Sequence, residues 1–178
     1  IVYNTEVLKQ LGIEKEPDSW ADLADPRYFG KIALADPSKS SSVNKAFEML
    51  IQQQIRETVD AAPAGEREKA VNEGWAKAMR LIRRISANAR YFTEASAKIP
   101  LDVARGDAAA GMCIDFFGRV QAEMAMHDGV SRVKYVTPVG GSSTGVDPIG
   151  MFTGAPHPDL AKEFIDFLLS VEGQLLWN

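Results

Sequence analysis

The stretch KIALADPSKSSSVNKAFEML, Lys31 to Leu50, decides how the whole chain is read. Lys31 to Ala35 is a short apolar run closed by Asp36-Pro37, the pattern of a buried strand ending in a turn. Three serines follow, Ser40 to Ser42, and then Val43, Ala46, Phe47, Leu50, Ile51 and Ile55 fall on one face of a predicted helix. Strand, turn and helix start, in that order, are the unit of an α/β sheet. In such sheets ligands gather at the carboxyl ends of strands, where helix N-termini offer free N–H groups to an anion. One serine suffices to cap a helix. Three read either as a cradle of hydroxyls and N–H groups or as one cap with spare polar neighbours.

Working outward, the same alternation continues. Ile1 to Tyr3 reads as a strand, followed by a short helix that Gly12 ends. Ser19 and Asp22 stand at capping-box spacing, Asp25-Pro26 stops that helix, and Gly30 makes a turn. After a loop with Pro63 and Gly65, a helix is predicted from about Glu66 to Ser86, with Val71, Trp75, Ala78, Ile82 and Ile85 as its apolar stripe. Arg80, Arg83 and Arg84 mostly avoid that stripe and read as a solvated face. Ala89 to Thr93 is a second strand, and Pro100 to Gly106 a short helix. Ala108 to Ile114 fits a strand buried on both faces. Phe117 to Met126 is predicted helical and Arg132 to Val139 extended. Gly140 to Gly145 is the most linker-like stretch, and Val146 to Phe152 is extended again. A helix near Pro158 carries Leu160, Phe164, Phe167 and Leu168 on one side, and Ser170 caps a last helix running to Trp177. Strands alternating with helices argue for an α/β sheet.

Composition narrows the partners. Of 178 residues, 46% are hydrophobic, enough for a real core, and the net charge of −4 leaves no basic field for a nucleic-acid backbone. No apolar run approaches the roughly 20 residues of a membrane-spanning helix. Cys113 is the lone cysteine, so no internal disulfide forms. The chain opens at Ile1 without a signal-like segment, as a processed product or a piece of a longer protein would.

Three places carry candidate chemistry. The first is Ser40 and Ser42 with the helix start they flank. The second is CIDFFGR, where Asp115 follows a buried run; a carboxylate there holds an ammonium, a hydroxyl or a metal, or caps the next helix, or both. Phe116 and Phe117 wall a pocket or pack in the core. The third is YFTEASAKIP, where Thr93, Glu94 and Ser96 precede another helix start. His127 and His157 stand far apart, neither at metal-ligand spacing. No G-x-S-x-G elbow is present, and GGSSTG lacks the lysine of a phosphate loop.

The segments PDSWADLADPRYFGKIALADPSKSSS, ARGDAAAGMCIDFFGRV and VDPIGMFTGAPHPDLAKEFIDFLLSVEGQ together resemble the extracellular solute-binding proteins of bacterial ABC importers. The resemblance is closest to the ferric-ion-binding branch of the type 2 periplasmic binding proteins, and it covers nearly the whole chain. It implies an α/β fold in which two lobes, joined by crossing strands, close on a small ligand. Residues 1–19 would be the first hinge strand and its connection. Residues 20–139 would be the second lobe, a mixed sheet flanked by helices. Residues 140–152 would be the return hinge strand, and 153–178 C-terminal helices of the first lobe. Most of a first lobe precedes the first crossing strand in that family, so this chain is expected to be a fragment.

The resemblance also implies roles. Ser40, Ser41 and Ser42 match a helix start that cradles an anion, which in ferric relatives completes metal coordination. The tyrosine pair that binds the metal there falls at Phe116 and Phe117, which have no oxygen to give. An organic or phosphorylated anion therefore fits the residues better than Fe³⁺, with Asp115 receiving a hydroxyl or amine. The expected ligand-binding set is Ser40, Ser41, Ser42, Thr93, Ser96, Asp115 and Asp147, with no catalytic residue, metal or cofactor. The partners implied are the solute and ABC permease membrane subunits, with no nucleic acid and no membrane insertion by this chain. The place implied is the periplasm or cell exterior of a bacterium. The apolar stripe near Pro158 suggests a dimer or swapped association. Competing readings are a ferric-iron binder of the same family, an α/β enzyme using the Ser40–Ser42 cluster, and a ligand-sensing domain of a regulator.

Overall fold

In the computed structural model, which describes residues 1–146 and 148–176, the strand of the opening stretch is the middle of the core. This strand, β2 (Ile32–Ala35), has every side chain fully buried. It pairs in parallel with β3 (Ala89–Thr93) on one side and β4 (Ala110–Gly111) on the other. Beyond β4 the sheet continues through β1 (Val2–Asn4) and β7 (Val133–Tyr135), in the order β3-β2-β4-β1-β7. β1 runs antiparallel to both of its neighbours, so the sheet is mixed. A strand buried on both faces needs small or branched apolar residues throughout, which is what Ile-Ala-Leu-Ala supplies.

Helices connect the strands. After α1 (Thr5–Gln10), two 3-10 turns, Trp20–Ala24 and Pro26–Tyr28, lead into β2; the Ser19–Asp22 capping box forms as expected. α2 (Ser41–Asp60) and α3 (Arg67–Ala87) make an antiparallel pair between β2 and β3. α4 (Lys98–Arg105) joins β3 to β4, and α5 (Asp115–Met124) follows β4. A small hairpin, β5 (Met126–His127) with β6 (Val130–Ser131), precedes β7. Asn4 ties three elements together: its side-chain oxygen caps α1 by accepting from the Glu6 and Val7 N–H groups, and its side-chain NH2 donates to the Val103 carbonyl of α4 at 2.9 Å.

Several expectations need correction. Trp75 does not lie on the buried stripe of α3; it is 52% exposed, and the residues turned inward are Ala70, Gly74, Ala78 and Ile85. α2 and α3 approach too closely for a large side chain there: a Cβ at Gly74 would sit 2.5 Å from the Ile55 Cα. The run Ala108 to Ile114 pairs only at Ala110–Gly111, although Ala108 to Met112 are all buried. α5 starts at Asp115 rather than Phe117, with Ile114 as its extended N-cap, so Asp115 occupies the first turn instead of capping. The β5–β6 hairpin is unanticipated; its strands are two residues each, too short for a periodic signal.

The chain divides into two compact units, Ile1–Ser143 and Thr144–Asn178, within the glycine-serine stretch. The second holds α6 (Pro158–Leu169), with proline at its first position, and α7 (Val171–Leu175), capped by the Ser170 hydroxyl. No residue of α6 is buried; Leu160 and Phe164 are both more than half exposed. Val146 and residues 148–152 carry no strand among the described residues, since a strand exists only through pairing and nothing here pairs with them. Asp147 and Trp177 lie outside the described residues.

Gly111 of β4 has no room for a side chain. A Cβ on Gly111 would lie 2.3 Å from the Ile99 methyl of α4 and 2.7 Å from the Ala33 carbonyl oxygen. The backbone oxygen cannot turn away, so α4 must shift. Gly111→Ala is expected to cost about 1–3 kcal/mol in urea unfolding; a change within error would mean that α4 does not pack directly on β4.

Candidate functional site

Because β2, β3 and β4 are parallel, their carboxyl ends lie along one edge of the sheet. Each is followed by a helix, so the N-termini of α2, α4 and α5 meet at that edge. β7 also ends there, because it is antiparallel to β1, which is antiparallel to β4. The first N–H groups of a helix carry partial positive charge and no helical acceptor, so the starts of α2 and α5 favour an anion; at α4 the Lys98 and Ile99 N–H groups already donate to the Ala95 and Ser96 carbonyls and Pro100 has none, so that helix adds its dipole alone.

The serines decide between cradle and cap. Ser40 is the N-cap of α2, with extended backbone, and its carbonyl accepts from Asn44 N–H at 2.9 Å. Its hydroxyl caps nothing: it lies 3.2 Å from the Ser42 hydroxyl, which lies 3.0 Å from the Ser96 hydroxyl. The three oxygens thus form a chain from α2 to the start of α4. Ser40 and Ser96 are each 7% exposed, so this chain is built into the edge and is not loose surface. The first-turn N–H groups of Ser41, Ser42 and Val43 have no acceptor among the described residues. Ser41 itself is exposed, with no side-chain hydrogen bond.

The two loops that carry the serines are joined twice more. Asp36 N–H donates to the carbonyl of Thr93, the last residue of β3, at 2.8 Å. Lys39, directly before Ser40, forms an ion pair with Glu94, directly after Thr93. Asp36 also accepts from the backbone and hydroxyl of Ser38, which hold its carboxyl below the usual range. Behind Ser96, the buried Asp102 carboxylate of α4 accepts from Tyr91 of β3 and from Lys98, whose ammonium sits 4.5 Å from the Tyr91 ring centroid. Burial alone would raise the Asp102 carboxyl; the hydrogen bonds from Lys98 and Tyr91 outweigh it, and the group stays below its ordinary value.

Asp115 stands at the end of the neighbouring strand, β4. Its exposed carboxylate lies 3.6 Å from the Arg119 guanidinium. Arg119 in turn lies 5.5 Å from the ring centroid of Tyr135, at the end of β7. Phe116 is half exposed beside it, its ring 4.2 Å from that of Phe117. Burial pushes the Cys113 thiol up to about 11, so it is a poor nucleophile. The structure thus joins Ser40, Ser42 and Ser96 directly, sets Thr93 against the same loop, and places Asp115 one strand away. Lys39, Arg119 and Tyr135 were not singled out from the sequence. Lys39 sat in view beside the serines, but its partner is 55 residues away.

The donor chemistry bears on iron. The phenyl rings of Phe116 and Phe117 offer no ligand atom. The four tyrosines are scattered: Tyr3 donates to Glu16, Tyr28 is buried, Tyr91 donates to Asp102, and Tyr135 meets Thr137. Among the described residues no group of three or more His, Cys, Asp or Glu is placed to hold a metal ion.

The family model of bacterial extracellular solute-binding proteins matches residues 1–178. The chain belongs to this family. An uncharacterized protein of Haemophilus influenzae is 28% identical over 176 residues, 98% of this chain and 44% of that protein. The phosphoglycerate transport regulatory protein PgtC of Salmonella typhimurium is 25% identical over 158 residues, 89% of this chain and 33% of that one. Among solved structures, the periplasmic binding protein AfuA of Actinobacillus pleuropneumoniae, with exogenous fructose 6-phosphate bound, superposes with a TM-score of 0.74 at 29% identity. That match covers 97% of this chain and 47% of AfuA. The periplasmic binding protein P5PA matches in fold, with a TM-score of 0.68 at 23% identity over 98% of this chain and 48% of its own. The chain therefore spans about half the length, or less, of the relatives it matches. Family and fold place this solute-binding protein in the periplasm or outside the cell, and the mixed α/β sheet is the one the sequence led us to expect. No described helix is long and apolar enough to cross a membrane.

Asp102 holds α4, and with it Ser96, against β3. Asp102→Asn weakens both charge-assisted bonds, and a loss of about 1–3 kcal/mol is expected at pH 7 by denaturant unfolding. The folded carboxyl lies below its unfolded value of 3.8, so its contribution is present above that pH and lost as pH falls through the folded value. The wild type and variant should converge in acid. A gap that stays constant from pH 7 to pH 3 would show that the charge on Asp102 is not what matters.

Proposed function

We propose that this chain is part of the substrate-binding component of an ABC importer, which captures a small phosphorylated organic anion and delivers it to a membrane permease. One observation carries the reading. The hydroxyl chain Ser40–Ser42–Ser96 runs beside first-turn N–H groups of α2 that have no acceptor among the described residues, at an edge where three helices begin. Such a cradle suits the three oxygens of a phosphate. In this reading Asp115, one strand away, accepts from a hydroxyl or amine of the same solute, with Phe116 as an apolar wall. The likeness to AfuA, solved with fructose 6-phosphate, and to PgtC, named for phosphoglycerate transport, supports a phosphorylated solute.

An enzymatic use of the serines has less support. A nucleophilic serine needs a base within hydrogen-bond reach. The hydroxyls of Ser40, Ser42 and Ser96 meet only one another among the described residues. A ferric reading lacks a tyrosine pair at Phe116 and Phe117. In the reading proposed here, residues 20–139 form the second lobe and β1 is a crossing strand from the first. The exposed apolar face of α6 and α7 then belongs against first-lobe structure, and pairing with another copy is the alternative.

Calorimetry on the intact protein tests the reading. Ser42→Ala and Ser96→Ala should each weaken binding of fructose 6-phosphate or 3-phosphoglycerate, whichever binds. A lost hydrogen bond to a charged group is worth about 1.5–3 kcal/mol, or roughly ten- to hundred-fold in affinity. Unchanged affinity in both variants would sink the cradle.

A further inference from the structure

Lys39 is the cation nearest in sequence to the cradle, and it is already paired. Its ammonium meets the Glu94 carboxylate across the mouth formed by the β2–α2 and β3–α4 loops. Their side chains are 52% and 78% exposed, and neither makes another side-chain hydrogen bond among the described residues. Beneath the pair, the same two loops are held by Asp36 to Thr93 and by Ser42 to Ser96. The backbone around Lys39 is therefore fixed while its side chain is free to change partners.

We infer that the Lys39–Glu94 ion pair is a specificity element of the cradle. On binding, Lys39 exchanges Glu94 for the anionic group of the solute; the exchange leaves a monoanion no net gain, and the Lys39 charge favours a dianionic phosphate ester over a monoanionic group of the same shape. The inference rests on the anion reading given above. Its physical basis is a comparison of charges. A monoanion that replaces Glu94 gives Lys39 nothing it did not have, and it leaves the Glu94 carboxylate beside a second negative charge. A dianion doubles both the attraction to Lys39 and the repulsion from Glu94, and the balance favours it once Glu94 has turned away and Lys39 is the nearer charge. Glu94, being exposed, turns into water at little cost. An exposed pair of this kind is worth up to about five-fold in an equilibrium constant, so the filter tunes selectivity without closing the site.

The test uses two small probes that report on the cradle alone, methyl phosphate and methyl sulfate at pH 8. The first is then a dianion, the second a monoanion of similar shape. Binding to the ¹⁵N-labelled intact protein is read from amide shifts at Ser41, Ser42 and Val43. The wild type should prefer methyl phosphate by about three-fold or more. Glu94→Gln, which leaves Lys39 with no partner to give up, should tighten both probes by about two- to five-fold and keep the preference. Lys39→Gln should weaken methyl phosphate most and narrow the preference. Ser42→Ala should weaken both probes equally and keep the preference. If both probes bind and Ser42→Ala weakens them, but Glu94→Gln leaves both affinities unchanged, the exchange is wrong and the cradle stands. If neither probe shifts those amides, the cradle reading falls and the exchange falls with it.

Discussion

The parallel pairing of β2 with both its neighbours is the constraint on which the rest of the first unit depends. A parallel pair cannot be closed by a tight turn; it needs a crossover, and the economical crossover is a helix. With β2 between β3 and β4, every crossover leaves from the same edge. Three helix N-termini are thereby brought together before any question of ligand arises. Burial of β2 on both faces makes the arrangement rigid, because helices must cover both sides of the sheet. The glycine at position 111 sets how closely α4 approaches, and the Asp102–Lys98–Tyr91 cluster then holds α4 to β3.

The edge made in this way has an electrostatic character that the net charge of the chain does not show. The chain is acidic overall, at −4. Yet the peptide dipoles of α2, α4 and α5 point their positive ends to one place. Serine suits such a place, since its hydroxyl both donates and accepts and brings no charge of its own. The acidic groups nearby, Asp36 and Glu94, are each engaged, one by the Ser38 backbone and hydroxyl and the other by Lys39.

Much of this was legible in the sequence where local chemistry and burial agreed. The Lys31–Ala35 strand, the serine-headed helix after it, the Gly106 stop and the Ser170 cap all formed within a few residues of expectation, because each rests on neighbours in the chain. Trp75 was misplaced because periodicity favours the large apolar residue, whereas the α2–α3 contact selects the small one. Asp115 was read in part as a cap because aspartate favours that position; the helix begins one residue earlier than such a cap requires, with Ile114 ahead of it. At the site, Ser40 and Ser42 were visible as a local cluster. That Ser96 completes them, and that Lys39 is already paired, depends on the β2–β3 register, which no local pattern encodes.

The central claim is that the edge above β2 exists to hold a small phosphorylated anion. Native mass spectrometry of the intact protein, isolated from its own cells without denaturation, tests this most directly, followed by identification of what it releases on unfolding. The expected result is a stoichiometric phosphorylated metabolite with at least one free hydroxyl or amine. Stoichiometric iron, or a cationic or uncharged solute, would contradict the account.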